Sequence, residues 1–369
     1  MTDGQFGLAL APVLTLSCAN APLVHPKIRP VTRTLAACRQ AHPTFSEVMM
    51  NEHFQPDAAS GPDIAIPDPA SFTIGKRKRR SLWSRLYRKL TLRKQRRAWM
   101  KRRGQRKAME EIAKFPKHPD APRHQLPGRL VVSMTSYPAR FPSLHLTIKS
   151  LLDQTVRPDH IVLWVAHGDL DALPDSVASL QSDQFLVRTC DDMRSFKKIL
   201  PSLGAYPDSF IVIVDDDTYY PDHWLAGLLA AYDPEDPSIV CYRAHRLTYM
   251  PDGRLAPYRD WDKNSVGDRR NPVCRDLLPT GNGGVLYPPG SLPPETTDLA
   301  LIRKLSPTSD DVWLFFMWRK NGWSIRRVPG PRRQFYEWPE SQDQSLTALH
   351  ATGKKDEHLQ DMSDYFGIP

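Results

Sequence analysis

The sequence has few cysteines, no long apolar run and, in one segment, no acidic residue at all. Its 369 residues include five cysteines, which lie far apart and form no CxxC pair. This pattern argues against a disulfide framework or a cysteine-based zinc site, and it favours a reducing compartment. No run of 18 or more apolar residues occurs, so no transmembrane helix is predicted. The absences together predict a cytoplasmic protein.

One short apolar segment, at residues 8–16, precedes Ala19-Asn20-Ala21, an order also found in secretory signal peptides. The residues before it include Asp3 and contain no lysine or arginine. Because a signal peptide begins with a positively charged region, the sequence does not favour secretion.

Acidic residues are missing from residues 76–107, a segment that contains 17 lysines and arginines. The whole chain has 50 basic and 41 acidic side chains and a formal net charge of +9. Outside the basic segment, 33 basic residues stand against 41 acidic ones, so the rest of the chain is acidic. A nucleic-acid-binding function would therefore depend on this one segment.

The patterning divides the chain into three parts. Residues 1–75 contain several prolines and few periodic apolar runs, and they are predicted to be largely disordered. Residues 76–127 are predicted to form a basic amphipathic helix, ending near residue 113, and a linker. Residues 128–369 are predicted to form a folded domain. The apolar residues that define one side of the helix are Leu82, Trp83, Leu86, Tyr87 and Leu90.

The basic helix fits either of two partners, or none. Its tryptophans and arginines suit stacking on nucleic-acid bases, but they equally suit a helix that lies on anionic lipid. A solvated linker without any partner is the third interpretation. We favour peripheral association with an anionic membrane, and nucleic acid is the less favoured partner.

From residue 128 onward, short apolar runs alternate with helical patterns. Strands are predicted at 130–135, 160–165, 185–188 and 210–214, with a helix beginning at Pro142 and another at 197–203. This alternation predicts an α/β fold with a mostly parallel sheet and helices on both faces. Such sheets bind ligands at the carboxyl ends of their strands.

Three adjacent aspartates, Asp215, Asp216 and Asp217, directly follow the predicted strand at 210–214. Like charges at a strand end repel one another unless a cation or hydrogen-bond donors compensate them. Oxygen ligands of this kind suit Mg²⁺ or Mn²⁺, whose coordination phosphate oxygens and water complete. A helical pattern follows from residue 224, so the acids lie on a strand-to-helix connection rather than in a solvated turn.

A metal-dependent phosphohydrolase using Asp215 and Asp217 is an alternative. Haloacid-dehalogenase-type phosphatases also place an Asp-x-Asp after an apolar strand. After the second Asp, their pattern requires a small residue and then Thr or Val. Thr218-Tyr219, which follows Asp217 here, does not match it. This alternative is therefore disfavoured.

A lysine pair, Lys197 and Lys198, lies between the third predicted strand and the aspartates. Ammonium groups suit the oxygens of a diphosphate. The same two residues also fit the solvated face of a helix. Both interpretations stay open on the residues alone.

A glycine-rich turn contains Gly281, Gly283 and Gly284. Glycines allow a backbone to approach a ligand closely. The segment lacks the lysine and the Ser/Thr of a Walker phosphate loop, so it also fits a plain turn before a strand at residue 285.

A second acidic pair, Asp310 and Asp311, follows Thr308 and Ser309 at a predicted helix start. Capping residues and acids in the first turn stabilise a helix, which explains one acid well and two less well. A carboxylate there that faces the site can act as a general base.

In this order, the segments resemble the GT-A glycosyltransferases, in particular the family-2-like bacterial enzymes of capsule and surface-polysaccharide synthesis. The resemblance spans about residues 129–323. The segments that carry it are Ser133-Met134-Thr135-Ser136-Tyr137-Pro138, Ser195-Phe196-Lys197-Lys198, the Asp215-Asp216-Asp217 run as a DxD motif, Gly281-Asn282-Gly283-Gly284-Val285-Leu286-Tyr287, and Asp310-Asp311-Val312-Trp313.

The resemblance implies a GT-A domain and an enzyme of the hexosyltransferase class. Its donor would be a nucleotide sugar, a UDP-sugar by preference, its acceptor a saccharide or lipid-linked sugar, and its cofactor Mn²⁺ or Mg²⁺. The resemblance further implies capsule or surface-polysaccharide synthesis at the inner face of the cytoplasmic membrane, by an inverting mechanism.

The resemblance also implies roles for individual residues. The base would be Asp311, with Asp310 beside it in the catalytic pair, and the metal ligands would be Asp215 and Asp217. His350 is a candidate for a further metal ligand. The implied donor-binding residues are Thr135, Ser136, Tyr137, Arg140, Lys197, Lys198, Asp216, Gly283 and Gly284.

Overall fold

The structure is a computed structural model that describes residues 82–266, 273–339 and 353–367, with side chains from residue 91 onward. The predicted disordered region at residues 1–75 and the candidate ligand His350 lie outside the described residues. The predicted division of the chain at residues 75 and 127 stays a prediction.

The strands of the described residues belong mainly to one sheet. They are β1 (Leu130–Thr135), β2 (His160–Ala166), β3 (Phe185–Cys190), β4 (Phe210–Ile213), β5 (Thr218–Tyr219), β6 (Ile239–Cys241), β7 (Ala244–Arg246), β8 (Val273–Cys274), β9 (Leu277–Pro279), β10 (Val285–Tyr287), β11 (Ile325–Arg327) and β12 (Tyr336–Glu337).

The main sheet has eight described strands in the order β3-β2-β1-β4-β10-β6-β11-β8. Strands β1 to β4 pair in parallel, as do β6 and β11. Strand β10 runs antiparallel between β4 and β6, and β8 is antiparallel to β11. The predicted mostly parallel α/β sheet is confirmed, whereas its antiparallel members were not predicted.

Helices cover both faces of this sheet. Alternate side chains of β4 point to opposite faces: Ile211 and Ile213 belong to one buried cluster, and Val212 belongs to the other. The helices are α1 (Leu82–Ile112), α2 (Phe141–Leu152), α3 (Asp175–Ala178), α4 (Leu200–Ala205), α5 (Trp224–Ala231), α6 (Leu299–Leu305), α7 (Asp310–Lys320) and α8 (Lys354–Phe366). Helices α6, α7 and α8 pack on the first cluster, and α2 and α5 on the second.

The single helix predicted at 197–203 is instead two elements. A 3₁₀ turn spans Arg194–Lys198, and α4 begins only at Leu200. Ile199 separates them with φ −126°, outside the helical region. Pro201 in the first turn of α4 lacks an N–H and restricts the residue before it, which favours a helix start at this point.

The predicted basic helix is confirmed as α1, and its end packs against the folded domain. Ala108 and Ile112 bury their side chains with Trp338. A Cβ on Gly104 would lie 2.1 Å from the ring of Tyr336, so this approach requires glycine. Strand β12 pairs with β5, which directly follows the three aspartates. The end of α1 therefore lies against the β5–β12 pair, which begins directly after the three aspartates. No described helix has the length and hydrophobicity of a membrane span.

Candidate active site

The three aspartates lie at the carboxyl end of β4, beside the segment that leaves β1. Because β1 and β4 are parallel neighbours, the residues that follow them meet at one edge of the sheet. The Ser136 hydroxyl donates a hydrogen bond to Asp216 Oδ2 at 2.6 Å. This contact joins two segments that the sequence placed in the site separately.

Arg140 neutralises the second and third aspartates. Its Nη1 forms an ion pair with Asp217 Oδ2 and lies 3.7 Å from Asp216 Oδ1. Burial opposes the charge of the guanidinium, but the two carboxylates outweigh it and raise the pKa of Arg140. The resemblance implied that Arg140 contacts the donor, whereas the structure directs its guanidinium towards carboxylates.

Asp216 is a buried acid with a strongly raised pKa. Burial, followed by repulsion from Asp217, raises the pKa of Asp216 to about 7. The side chain is therefore protonated for about half of the time at neutral pH. A carboxyl that holds a proton can donate a hydrogen bond to a hydroxyl or phosphate oxygen.

Lys198 lies at the centre of a second, larger cluster. Its Nζ is 3.0 Å from Asp215 Oδ1 and 2.8 Å from Asp310 Oδ2, so it joins the end of β4 to the start of α7. Burial lowers its pKa, but the surrounding carboxylates outweigh burial and hold the pKa well above the ordinary value. We call Lys198, Asp215, Asp310 and Asp311 the Lys198 cluster.

The two lysines of the predicted pair have different partners. Lys197 is buried, and its Nζ lies 2.6 Å from Asp192 Oδ1. Both ammonium groups are thus neutralised by aspartates of the chain. Their predicted contact with a diphosphate stays a prediction.

Asp310 and Asp311 are neighbours at the start of α7 with opposite shifts. Burial, and next the charge of Asp310, raises the pKa of Asp311 to about 6. Burial also acts to raise the pKa of Asp310, but the ion pair with Lys198 outweighs it, and the pKa of Asp310 is lowered. One acid is thus held as a carboxylate while the other is a moderately strong base near neutral pH. Ser309 occupies the N-cap position without a side-chain capping bond.

The glycine turn lies directly against the Lys198 cluster. The Gly281 N–H donates to Asp311 Oδ1 at 3.2 Å. A Cβ at position 281 would lie 2.8 Å from Asp215 Oδ1 and 2.9 Å from Lys198 Nζ, so the close approach requires glycine. Gly284 has φ +83°, a conformation that L side chains rarely adopt.

The turn is also held from behind by an aromatic residue. The Trp224 Nε1 donates to the carbonyl oxygen of Gly283 at 2.8 Å. A Cβ at Gly284 would lie 2.4 Å from the Trp224 ring. The turn therefore has little freedom to move relative to α5.

Two other predicted donor residues have structural partners. The Thr135 hydroxyl donates to the carbonyl oxygen of Trp164 at 2.8 Å, linking the ends of β1 and β2. The Tyr137 hydroxyl accepts a hydrogen bond from Arg140 Nε at 3.4 Å. Both contacts stiffen the loop after β1.

Sequence reasoning missed residues that hold the backbone of the acidic run. The Asp215 N–H donates to the Tyr220 hydroxyl at 2.9 Å, and the Trp338 N–H donates to the carbonyl oxygen of Asp217 at 2.8 Å. Tyr220 follows the run closely, and its hydroxyl was a usable signal. Trp338 is far along the chain, and no local pattern connects it to the aspartates.

The divalent cation implied by the resemblance fits only a site that the substrate completes. Among the described residues no group of three or more His, Cys, Asp or Glu is arranged around a common point. Asp215 is the best available ligand, because its side chain is 31% exposed, against 13% for Asp216 and 11% for Asp217. Mg²⁺ is commonly held by one or two carboxylates together with substrate phosphates. Asp215, with Asp217 as the second candidate, fits that arrangement.

Comparisons with known proteins give only distant likenesses. No protein-family model matches the chain, and no curated protein matches it. Among solved structures, a mannosyltransferase from Pyrobaculum calidifontis, in complex with GDP-Man and Mn²⁺, is 14% identical with a TM-score of 0.40, covering 70% of each chain. The inositol-1-phosphate CTP transferase from T. maritima is 11% identical with a TM-score of 0.35, covering 65% of this chain and 98% of that one.

A third similar structure is the 4-diphosphocytidyl-2C-methyl-D-erythritol synthase from Anaerococcus prevotii. It is 11% identical with a TM-score of 0.35, covering 62% of this chain and 96% of that one. Likenesses at this level transfer neither a residue nor an activity to the chain.

Proposed function

We propose that the chain is a metal-dependent glycosyltransferase of the GT-A type. It moves a sugar from a nucleotide-sugar donor, a UDP-sugar by preference, to a hydroxyl group of a saccharide or lipid-linked acceptor. The observation that supports this proposal is the Lys198 cluster. Within it, the partly exposed carboxylate of Asp215 after β4 contacts the buried ammonium group of Lys198, and Asp310 at the start of α7 contacts the same group beside the moderately basic Asp311.

The donor side of the cluster is Asp215. Its Oδ1 is occupied by Lys198, and its exposed edge suits a divalent cation that the donor diphosphate also ligates. A cation bound there would neutralise charge on the departing nucleoside diphosphate. Asp216, which accepts a hydrogen bond from Ser136 and can carry a proton, would donate to a hydroxyl of the donor.

The acceptor side of the cluster is Asp311. A pKa of about 6 leaves it mostly ionised at pH 7, yet basic enough to take a proton from an attacking hydroxyl. The Gly281 N–H fixes the orientation of its carboxylate. Attack from the side opposite the leaving group would then give inversion at the sugar.

Lys198 has a positioning role in this scheme. Three carboxylates close together would otherwise repel one another and bind protons. The ammonium group keeps Asp310 ionised and lowers the repulsion around Asp215. It thereby gives Asp310 a lowered pKa while the neighbouring Asp311 keeps a raised one.

We further propose that the enzyme acts in surface-polysaccharide synthesis at an anionic membrane, through α1. Leu92 and Trp99 are 53% and 59% exposed on this helix, and Arg103 lies over the Trp99 ring at 5.3 Å. Exposed apolar side chains among arginines and lysines suit the boundary between lipid head groups and acyl chains. The opposite end of α1 is packed on the domain, so membrane binding would hold the domain close to a lipid-linked acceptor.

A panel of nucleotide sugars with Mn²⁺, Mg²⁺ or EDTA tests the proposal. We expect slow, metal-dependent hydrolysis of one donor, with release of the nucleoside diphosphate. Nucleoside triphosphates with sugar phosphates form the control, because nucleotidyl transfer would release pyrophosphate instead. Turnover in the control alone, or of no donor at all, contradicts the proposal, and the configuration of the new bond tests inversion independently.

A further inference from the structure

A group of basic side chains lies beside Asp311 and is not used by the proposed mechanism. It consists of Arg243, Lys263 and Lys355, from the segment before β7, the loop after β7 and the first turn of α8. Among the described residues, no carboxylate oxygen lies within 4.0 Å of a side-chain nitrogen of these three, so none of them forms an ion pair there. We call these residues the basic group.

Two of the three ammonium and guanidinium groups converge on one aromatic ring. Lys263 Nζ lies 2.8 Å from the centroid of the Tyr258 ring, and Lys355 Nζ lies 4.4 Å from it. Lys355 is only 5% exposed, which is unusual for a long basic side chain. Cation–π contacts with one ring compensate part of the cost of this burial but leave the net charge in place.

Asp311, Asp356 and Asp260 act on the basic group only at longer range, and among the described residues none of them forms an ion pair with it. His245 is buried next to it, with its Nδ1 accepting from the Asn264 N–H at 2.8 Å. Burial, and then the three basic side chains, lowers the pKa of His245 to about 2, so it is neutral. Burial and the charge of Lys355 likewise lower the pKa of Lys263 to about 8, against weaker opposing effects of Asp356 and Asp260. Like charges are thus held together at a cost in stability.

The basic group faces the acceptor side of the proposed site. The Arg243 Nη1 donates to the Thr280 hydroxyl at 2.8 Å, and the next residue, Gly281, donates its N–H to Asp311. Burial and the charge of Asp310 raise the pKa of Asp311, and the charge of Lys355 opposes this rise. The cations therefore lie next to the base rather than beside the Arg140 side of the aspartates.

We propose that Arg243, Lys263 and Lys355 bind a phosphate group of the acceptor and so select a phosphorylated substrate. That the phosphate belongs to the acceptor rests on the proposed function, whereas the anion site itself does not. Phosphate carries up to two negative charges and several acceptor oxygens, which match two ammonium groups and a guanidinium. A neutral sugar would leave these three side chains without an ion-pair partner among the described residues.

Calorimetric titration of the full chain with phenyl phosphate in EDTA at constant ionic strength tests the anion site. We expect the wild type to bind, and Lys263→Gln and Lys355→Gln each to lose about tenfold in affinity, since a hydrogen bond to a charged group is removed. Lys354→Gln is the matched control, because this neighbour on α8 is exposed. Lys355→Arg keeps the charge and should keep binding, provided that thermal unfolding shows each variant to be folded.

The proposal is overturned if the wild type does not bind phenyl phosphate, or if Lys354→Gln loses as much affinity as Lys355→Gln. A second titration, with Mn²⁺ and a mixture of UDP, GDP, CDP and ADP, distinguishes the acceptor's phosphate from the donor's. Unchanged affinity supports an acceptor site, and loss of binding assigns the basic group to the donor diphosphate and refutes our assignment. Neither titration requires sugar transfer, so failure of the donor panel and failure of this proposal are separate results.

Discussion

Replacing Asp311 by Asn should abolish most of the activity and at the same time stabilise the fold. The pKa of Asp311 is raised from 3.8 to about 6, so the folded protein destabilises the ionised carboxylate. Two pKa units correspond to about 3 kcal/mol, which is an upper bound because part of the side chain contacts water. Asn is neutral and its oxygen can still accept the Gly281 N–H, so the variant avoids this cost.

The sign of the effect depends on pH. A carboxyl whose folded pKa is raised stabilises the fold below its unfolded value of 3.8, and this contribution is lost as the pH rises through about 6. The stability advantage of Asp311→Asn should therefore be small near pH 4, grow between pH 4 and 6, and be constant above that. Urea unfolding of both proteins at several pH values measures it.

The neighbouring acid provides the matched control, with the opposite expectation. Asp310 is ionised and paired with Lys198 at 2.8 Å. Removing one partner of a buried ion pair typically costs about 3 kcal/mol, so Asp310→Asn should be destabilised at pH 7. An unstable Asp311→Asn, or equal effects of the two substitutions, would refute the electrostatic argument for the cluster.

Activity gives the second half of this test. A general base contributes roughly 10²–10⁴-fold, so transfer by Asp311→Asn should fall by that factor while donor binding persists. In the wild type, kcat/KM should rise about tenfold per pH unit below pH 6 and level off above it, because the ionised form is active. Transfer near the wild-type rate in the variant removes Asp311 from the role of base.

Three further predictions concern the lysine, the glycine turn and the basic helix. Lys198→Met should destabilise the protein by about 3–5 kcal/mol in urea unfolding, because it leaves buried carboxylates without their cation. Gly281→Ala should lower transfer and cost about 1–3 kcal/mol, since its Cβ would press on the Lys198 ion pair, whereas Gly204→Ala, with open space around it, should leave transfer unchanged. In co-sedimentation, the chain should bind anionic liposomes at low salt and less at high salt, and Trp99→Ala should weaken binding at both; tight binding to RNA without binding to vesicles would refute the membrane partner.

Much of the fold could be predicted because local periodicity reports burial. The strand at 210–214 was recognised from its continuous apolar run, which β4 needs because both of its faces are buried. The antiparallel placement of β10 could not be predicted, since three apolar residues after a glycine turn fit either direction. Pro201 is a local signal for the break between the 3₁₀ turn and α4. The prediction of one continuous helix at 197–203 did not take it into account.

The site divides in the same way. Asp215 to Asp217 and Asp311 could be singled out because acids at a strand end or a helix start need a compensating charge. Which charge compensates each acid depends on segments that lie far apart in the chain. Arg140 and Lys198 form ion pairs with these acids, and their predicted contact with the donor stays a prediction.

The sequence alone predicted the first four strands of the sheet, the basic α1 and the positions of the acidic run and pair. These are local properties, because period and residue type act within one element. The packing of distant segments was needed to show that Lys198 joins two acidic segments, that Gly281 contacts both, and that Lys263 and Lys355 meet at Tyr258. Such contacts depend on how layers pack on the sheet, and a few ångströms of packing decide whether two charges form an ion pair, repel each other or bind a ligand.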